Sequence, residues 1–247
     1  MNRNSDTIYS KSQNSLPFRF DKRVAAVFTD MIKRSVPGYA EIIVNIQQLT
    51  SIYCQPNSNC YDLGCSLGAA SLAMSHGNQT EGVNIVGVDN SADMLEQCEN
   101  NIAGFIHNTP ISLIQADIQQ TKITNASMVV LNYTLQFVPQ EERIQIIKTI
   151  YDGLLPGGVL ILSEKIIYAD AAINQLMIEL HHQFKRDNGY SELEISQKRS
   201  ALENVLIPEL LETHISRMQS AGFEHVNCFQ QQLNFASFIA IKSLDHD

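Results

Sequence analysis

Apolar residues in the first fifth of the chain recur at helical spacing. Val24, Val27, Phe28 and Met31 form one such set, and Ile42, Ile43, Ile46 and Leu49 a second. The spacing predicts two amphipathic helices, with Pro37 and Gly38 between them as the break. The rhythm then changes to short apolar runs, "NCYDLG", "VNIVGVDN", "ISLIQAD", "SMVVLNY" and "GGVLILSE", alternating with amphipathic stretches. Strands buried on both faces read this way, so the pattern predicts an α/β fold with a mostly parallel sheet between helices. The closing "GFEHVNCFQQQLNFASFIAIK" reads as two strands joined by a tight turn, an antiparallel hairpin at the sheet edge.

Two stretches fall outside this alternation. Residues 1–19 lack periodicity and are expected to fray as a flexible segment, leaving 20–247 as a single domain. An insertion over about residues 168–218 is longer than a crossover helix needs. It is dense in polar groups yet helical in spacing.

A chain of 247 residues with 44% hydrophobic content can bury one sizeable core. Its formal net charge of −9 argues against a surface that neutralises phosphates, so direct nucleic-acid binding is not expected. The absence of a long apolar run, and a polar N-terminus, predict a cytoplasmic protein without membrane association. Cys54, Cys60, Cys65, Cys98 and Cys228 are scattered and contain no C-x-x-C. They suggest reduced thiols, neither a disulfide framework nor a metal site.

Candidate chemistry gathers at the strand ends. In "YDLGCSLGAAS", Asp62, Gly64, Ser66 and Gly68 mark the passage from the first strand into a helix. Glycine lets a ligand approach closely there, and helix N-terminal N–H groups can meet it. Ser66 stands where D-x-G-x-G-x-G has its middle glycine; its hydroxyl can donate to a ligand carboxylate. The spacing is not the G-x-G-x-x-G of dinucleotide binding. Asp89, ending the second strand, can accept from both hydroxyls of a ribose or can cap the next helix. Asp117 in "QADI" can read an adenine together with an adjacent backbone N–H, or can serve as a cap. Asn132 ends the fourth strand at the carboxyl edge, where substrates sit. Glu164, at the end of the fifth, is open to either a catalytic or an architectural reading.

In the insertion, Ile195, Leu202 and Leu206 form an apolar stripe with Arg199 on the same face. Arg199 can pair with Glu203 or reach water; alternatively it can fork onto a carboxylate in a cavity. His181 and His182 are adjacent on a predicted helix and cannot share a face, which favours a structural role over a metal pair.

The ordered strand-end motifs resemble the class I S-adenosylmethionine-dependent methyltransferases, over about residues 55–165 plus the hairpin. More specifically, "RSVPGY", "YDLGCSLGAA", "ASMVVLN" followed by "TLQF", and "NGYSELEISQKRS" with "LENV" resemble the carboxy-S-adenosyl-L-methionine synthase family. In that family "GCS" is the ordinary form. The resemblance implies a Rossmann-like, seven-stranded sheet with an antiparallel C-terminal hairpin, N-terminal helices and a helical insertion before the hairpin. It implies conversion of S-adenosyl-L-methionine and prephenate to carboxy-S-adenosyl-L-methionine and phenylpyruvate, without a metal. The product would supply a separate tRNA uridine carboxymethyltransferase that makes a 5-oxyacetyl group on a wobble uridine. The family's ligand contacts fall on Tyr39, Gly64, Cys65, Ser66, Asp89, Asn90, Asp117, Ile118, Asn132 and Arg199, the last directed at the added carboxylate from the neighbouring subunit of a homodimer. Two other readings are an ordinary small-molecule methyltransferase and a non-catalytic S-adenosylmethionine-binding protein.

Overall fold

A computed structural model describes residues 5–10, 18–106 and 109–244. Helix α1 (Lys22–Ser35) begins at Asp21, whose carboxylate accepts from the N–H groups of Arg23 and Val24, a side-chain cap for donors that a helix start leaves unpaired. Gly38, at φ +77°, turns the chain into α2 (Tyr39–Tyr53), a left-handed conformation that glycine adopts without Cβ strain.

The alternating pattern follows: β1 (Asn59–Leu63), α3 (Ala69–Gly77), β2 (Asn84–Asp89), α4 (Ala92–Ala103), β3 (Ile111–Gln115), β4 (Ala126–Asn132), α5 (Gln140–Gly153) and β5 (Leu154–Ile167). The insertion supplies α6 (Ala171–Asp187), α7 (Glu192–Leu202) and the two-residue β6 (Glu209–Leu210). Helix α8 (Leu211–Ala221) leads into the hairpin of β7 (His225–Gln232) and β8 (Phe235–Ile241). The strand order is β3-β2-β1-β4-β5-β8-β7, parallel through β5 and antiparallel at β8 and β7. The order reverses beside β1, the switch point at which open α/β sheets bind ligands. The expected seven strands are all present. The additional β6 pairs with Ile166 and Ile167 of β5, which run on past the last β4 partner, Asn132 opposite Ser163.

Both faces of the sheet are apolar, as a parallel sheet requires. On β4, Val129 and Leu131 face α5 and α8 residues such as Ile147 and Met218; Met128 and Val130 face Ile42, Ile46 and Met74 of α2 and α3. An ion network fixes the end of the insertion. Arg143 of α5, fully buried, donates to Glu209 of β6 at 2.5 Å, and Arg217 of α8 donates to the same carboxylate at 2.6 and 2.7 Å.

Of residues 1–19, expected to fray, 1–4 and 11–17 lie outside the described residues; the rest make contacts with the insertion through Asp6 and Phe18. Asp6 is buried and accepts from the Tyr190 hydroxyl, with the Lys198 ammonium 3.7 Å away. Phe18 donates its N–H to the Ala201 carbonyl at 3.1 Å. Polar anchoring of this kind leaves no hydrophobic periodicity to read.

Candidate ligand site at the carboxyl edge of the sheet

The loop after β1 is held from below. Gly64 lies at φ +79°, and a Cβ there would sit 2.4 Å from the Thr134 side chain; Ser66 is also left-handed, at φ +52°. The N–H groups of Gly64 and Cys65 both donate to the Val88 carbonyl, and that of Gly68 to the Cys65 carbonyl. Ser66 N–H donates to Asp89 Oδ2 at 2.9 Å. These four N–H groups are therefore used within the protein, which fixes the shape of the loop ahead of the α3 N-terminus at Ala69. What the loop does leave is Ser66 Oγ, buried with no partner among the described residues. Asp62 accepts from the Ser71 N–H and hydroxyl at 2.9 and 2.6 Å, and burial pushes its carboxyl up to about 6.

The next two strand ends meet each other. Asp89 accepts from Ser91 N–H at 2.9 Å in addition to Ser66, while the cap of α4 is Ser91 itself, through Met94 N–H. Burial raises the Asp89 carboxyl from its ordinary value. Asn90 donates to Asp117 Oδ1 at 2.8 Å, joining β2 to β3 above the sheet. Asp117 makes no cap bond to the short 3-10 turn Ile118–Gln120 that follows it, so its side chain points to Asn90 and the site edge. A recess of about 290 Å³ beside α5 includes Ile118 but none of the other candidate residues; the chemistry lies elsewhere.

Across the switch point, Asn132 Oδ1 is buried without a partner among the described residues. The following residue, Tyr133, is at φ +61° and stacks on Tyr39 with ring centroids 6.2 Å apart. Burial, followed by the Asp62 charge, raises the Tyr39 phenol, and burial is also the main cause for Tyr133. Both remain uncharged donors at neutral pH. Tyr133 carried no separate signal in the sequence beyond its place after a strand end. Glu164 is fully buried and accepts from Leu135 N–H at 2.9 Å, while its Oε2 has no partner among the described residues. Burial pushes its carboxyl up to about 8 despite nearby Arg143.

Tyr39, Gly64, Cys65, Ser66, Asp89, Asn90, Asp117, Ile118 and Asn132 thus lie along one edge of the sheet. Arg199 does not lie on the face predicted for it. The inward positions of α7 are Glu194, Ile195, Lys198 and Ala201, and Arg199 is exposed. Lys198 takes the inward place, donating to Ser35 Oγ at 2.8 Å and to the Tyr190 hydroxyl at 3.3 Å. The helix ends at Leu202, so Leu206 does not extend the stripe. Arg199 forms no ion pair with Glu203 among the described residues. The structural reading of His181 is supported: its Nε2 meets the Ser35 carbonyl at 2.8 Å.

Orphaned Ser66 Oγ and Asn132 Oδ1, buried on either side of the switch point, are polar atoms that a small polar ligand would satisfy. S-adenosylmethionine, with an aminoacyl end and a nucleoside end, fits that donor set. No group of three or more His, Cys, Asp or Glu side chains suited to a metal occurs among the described residues. No helix among them is long and apolar enough to cross a membrane.

Residues 61–158 match the family described as "Methyltransferase domain". A carboxy-S-adenosyl-L-methionine synthase of Marinobacter nauticus is 52% identical over 239 residues, covering 97% of this chain and 96% of the relative. Its counterpart in Pseudoalteromonas atlantica is 53% identical over 98% of this chain and 100% of its own length. Among crystal structures, magnesium protoporphyrin IX methyltransferase of Synechocystis aligns with a TM-score of 0.60 at 14% identity, over 86% of this chain and 87% of that one. Human N-acetylserotonin methyltransferase aligns at 0.59 and 15%, over 90% and 55%. At these identities the structural likeness is one of fold.

Proposed function

The chain belongs to the carboxy-S-adenosyl-L-methionine synthase family, and from that premise we propose that it carboxylates the sulfonium methyl group of S-adenosyl-L-methionine, with prephenate as carboxyl source and phenylpyruvate as co-product. The observation that carries this reading is the 52% identity to such a synthase along nearly the whole of both chains. It extends through the insertion, where a likeness of fold alone would leave function open.

Asp89 and Asn90 would take the ribose, and Asp117 with Ile118 the adenine. Gly64, Cys65 and Ser66 would take the aminoacyl end. Asn132 and Tyr39 would flank the reacting carbon. The bound sulfonium makes its methyl hydrogens acidic. The protein's part is to exclude water, so that the carbon meets a carboxyl donor before a proton. Stacked, uncharged Tyr39 and Tyr133 form such a dry wall. In the balanced reaction a carboxyl group leaves prephenate and joins the methyl carbon; the displaced methyl proton and the hydroxide lost from prephenate leave as water. Arg199, exposed and without an ion pair among the described residues, would hold the new carboxylate as a planar fork, reaching it from the neighbouring subunit of a homodimer. The product would pass to a separate tRNA uridine carboxymethyltransferase. The net charge of −9 accords with a cytoplasmic enzyme that does not itself bind tRNA.

The test is mass spectrometry of small molecules after incubating purified protein with S-adenosyl-L-methionine, with and without prephenate. A prephenate-dependent product heavier by one carbon dioxide is expected. If only the demethylated cofactor forms in both cases, the chain is an ordinary methyltransferase. If the cofactor binds and is never turned over, it is a binding protein.

A further inference from the structure

Cations gather at the His181 end of the aromatic wall, where the charges of Lys185 and Lys165 act on the ring. Lys185 of α6 is 8% exposed, and its ammonium makes no hydrogen bond or ion pair among the described residues. The charges that act on it are those of Lys198, Lys165 and Arg199, all positive. Lys165 of β5 is likewise without a side-chain partner among the described residues, and Arg199 lies close enough to act on its charge.

Lys198 shows what a settled buried lysine looks like in the same protein. It has Ser35, Tyr190 and Asp6 around its ammonium. His181, on α6 facing Lys185 and Lys165, supplies no negative charge; it donates Nε2–H to Ser35 and burial keeps it neutral. Desolvating a cation without a partner is costly, so the buried Lys185, with half-buried Lys165 also unpaired nearby, marks a place that an anion would satisfy.

The site adjoins the reaction edge through one continuous stack. The His181 ring packs on Phe235 at 5.0 Å, Phe235 on Tyr133 at 5.8 Å, and Tyr133 on Tyr39 at 6.2 Å. Lys165 lies opposite Phe235 in the β5–β8 ladder, two residues beyond Ser163, the partner of Asn132.

We propose that Lys165 and Lys185 form the carboxylate-binding recess for the second substrate, a dicarboxylate, and so determine which carboxyl donor the enzyme accepts. This inference rests on the function proposed above. One carboxylate is anchored by the lysines while the other, the one transferred, is left toward Tyr39 and Asn132. Lysine serves better than arginine for a group that must also leave as the monocarboxylate co-product, because a point charge binds without a rigid fork.

Lys185→Met and Lys165→Met keep side-chain length and remove the charge. In Lys185→Met the KM for prephenate should rise by about ten- to a hundred-fold, as expected for losing a charged hydrogen bond, with S-adenosylmethionine affinity within about twofold of wild type by calorimetry. A second measurement uses the wild-type protein alone. Burial brings the Lys185 ammonium down to about 7, which favours its acylation at neutral pH, and prephenate should slow acylation of Lys185 and Lys165 in peptide mass maps. An unchanged KM in both variants, with acylation indifferent to prephenate, overturns the proposal and leaves the proposed function intact. If wild type makes no carboxylated product, the function fails instead; the acylation map, which needs no turnover, still decides the recess.

Discussion

Asn132, whose β5 ladder partner is Ser163, and Glu164, the next residue of β5, make opposite demands. Asn132 Oδ1 has no partner to lose among the described residues, so Asn132→Ala is expected to leave the melting temperature unchanged or slightly higher. Its affinity for S-adenosylmethionine should fall about tenfold or more, which titration calorimetry would show; equal affinities would remove Asn132 from the site. Glu164 is a matter of protons. Its folded value of about 8 lies above the ordinary carboxylate value of 4.5, so the folded state keeps a proton that the unfolded chain releases. Its contribution to stability is full below about pH 4.5 and lost as pH rises through about 8. Urea unfolding from pH 5 to 9 should therefore show Glu164→Gln gaining on wild type as pH rises, by at most about 1.4 kcal/mol per pH unit. A flat difference would mean that the carboxyl is already ionised. That Asp89 and Asn132 end strands, and that Asp62 and Asp117 lie within two residues of a strand end, was readable from the sequence, because an apolar run marks each strand. That Ser66 N–H is consumed by Asp89 was not, because it depends on two loops meeting in space.

Among elements, the loop from β1 to α3 is the least tolerant. An alanine at Gly64 meets both the left-handed φ and the Thr134 side chain at 2.4 Å. Gly64→Ala should destabilise the protein by about 1–3 kcal/mol, seen as a lower urea midpoint, and should weaken cofactor binding in parallel. A variant with wild-type midpoint and affinity would show that the loop relaxes freely. The strands and first two helices were legible because burial on one or both faces imposes a regular period. The face of α7 was not. Its apolar stripe was counted from Ile195 through Leu206 as if one helix ran through, whereas the helix stops at Leu202 and its inward face carries Lys198 in place of a hydrophobe. Polar inward groups satisfied by distant partners erase the period that reveals a buried face.

At the scale of the whole molecule, one carboxylate, that of Glu209, ties the end of the insertion to α5 and α8. Removing it by Glu209→Gln strands the fully buried Arg143 guanidinium and the nearly buried Arg217, a change expected to cost about 3–5 kcal/mol in denaturant unfolding. A loss below about 1 kcal/mol would mean that carbonyls of Gln136, Val138 and Ile207 suffice. The homodimer belongs to this scale as well. Sedimentation should give twice the chain mass of 27.6 kDa, and a monomer at working concentration would require Arg199 to act within its own subunit.

The contact of Asp6 with Tyr190 spans 184 positions. It joins one of the first parts of the described chain to the stretch between the two insertion helices, and it settles the charge of Lys198. A chain emerging from the ribosome can assemble β1 to β5 from near neighbours, but it cannot close this contact until most of its length has been made. Long-range closure of this kind is slow to form. The insertion, and with it the lysine-lined recess, is thus expected to be the last region to become rigid during folding.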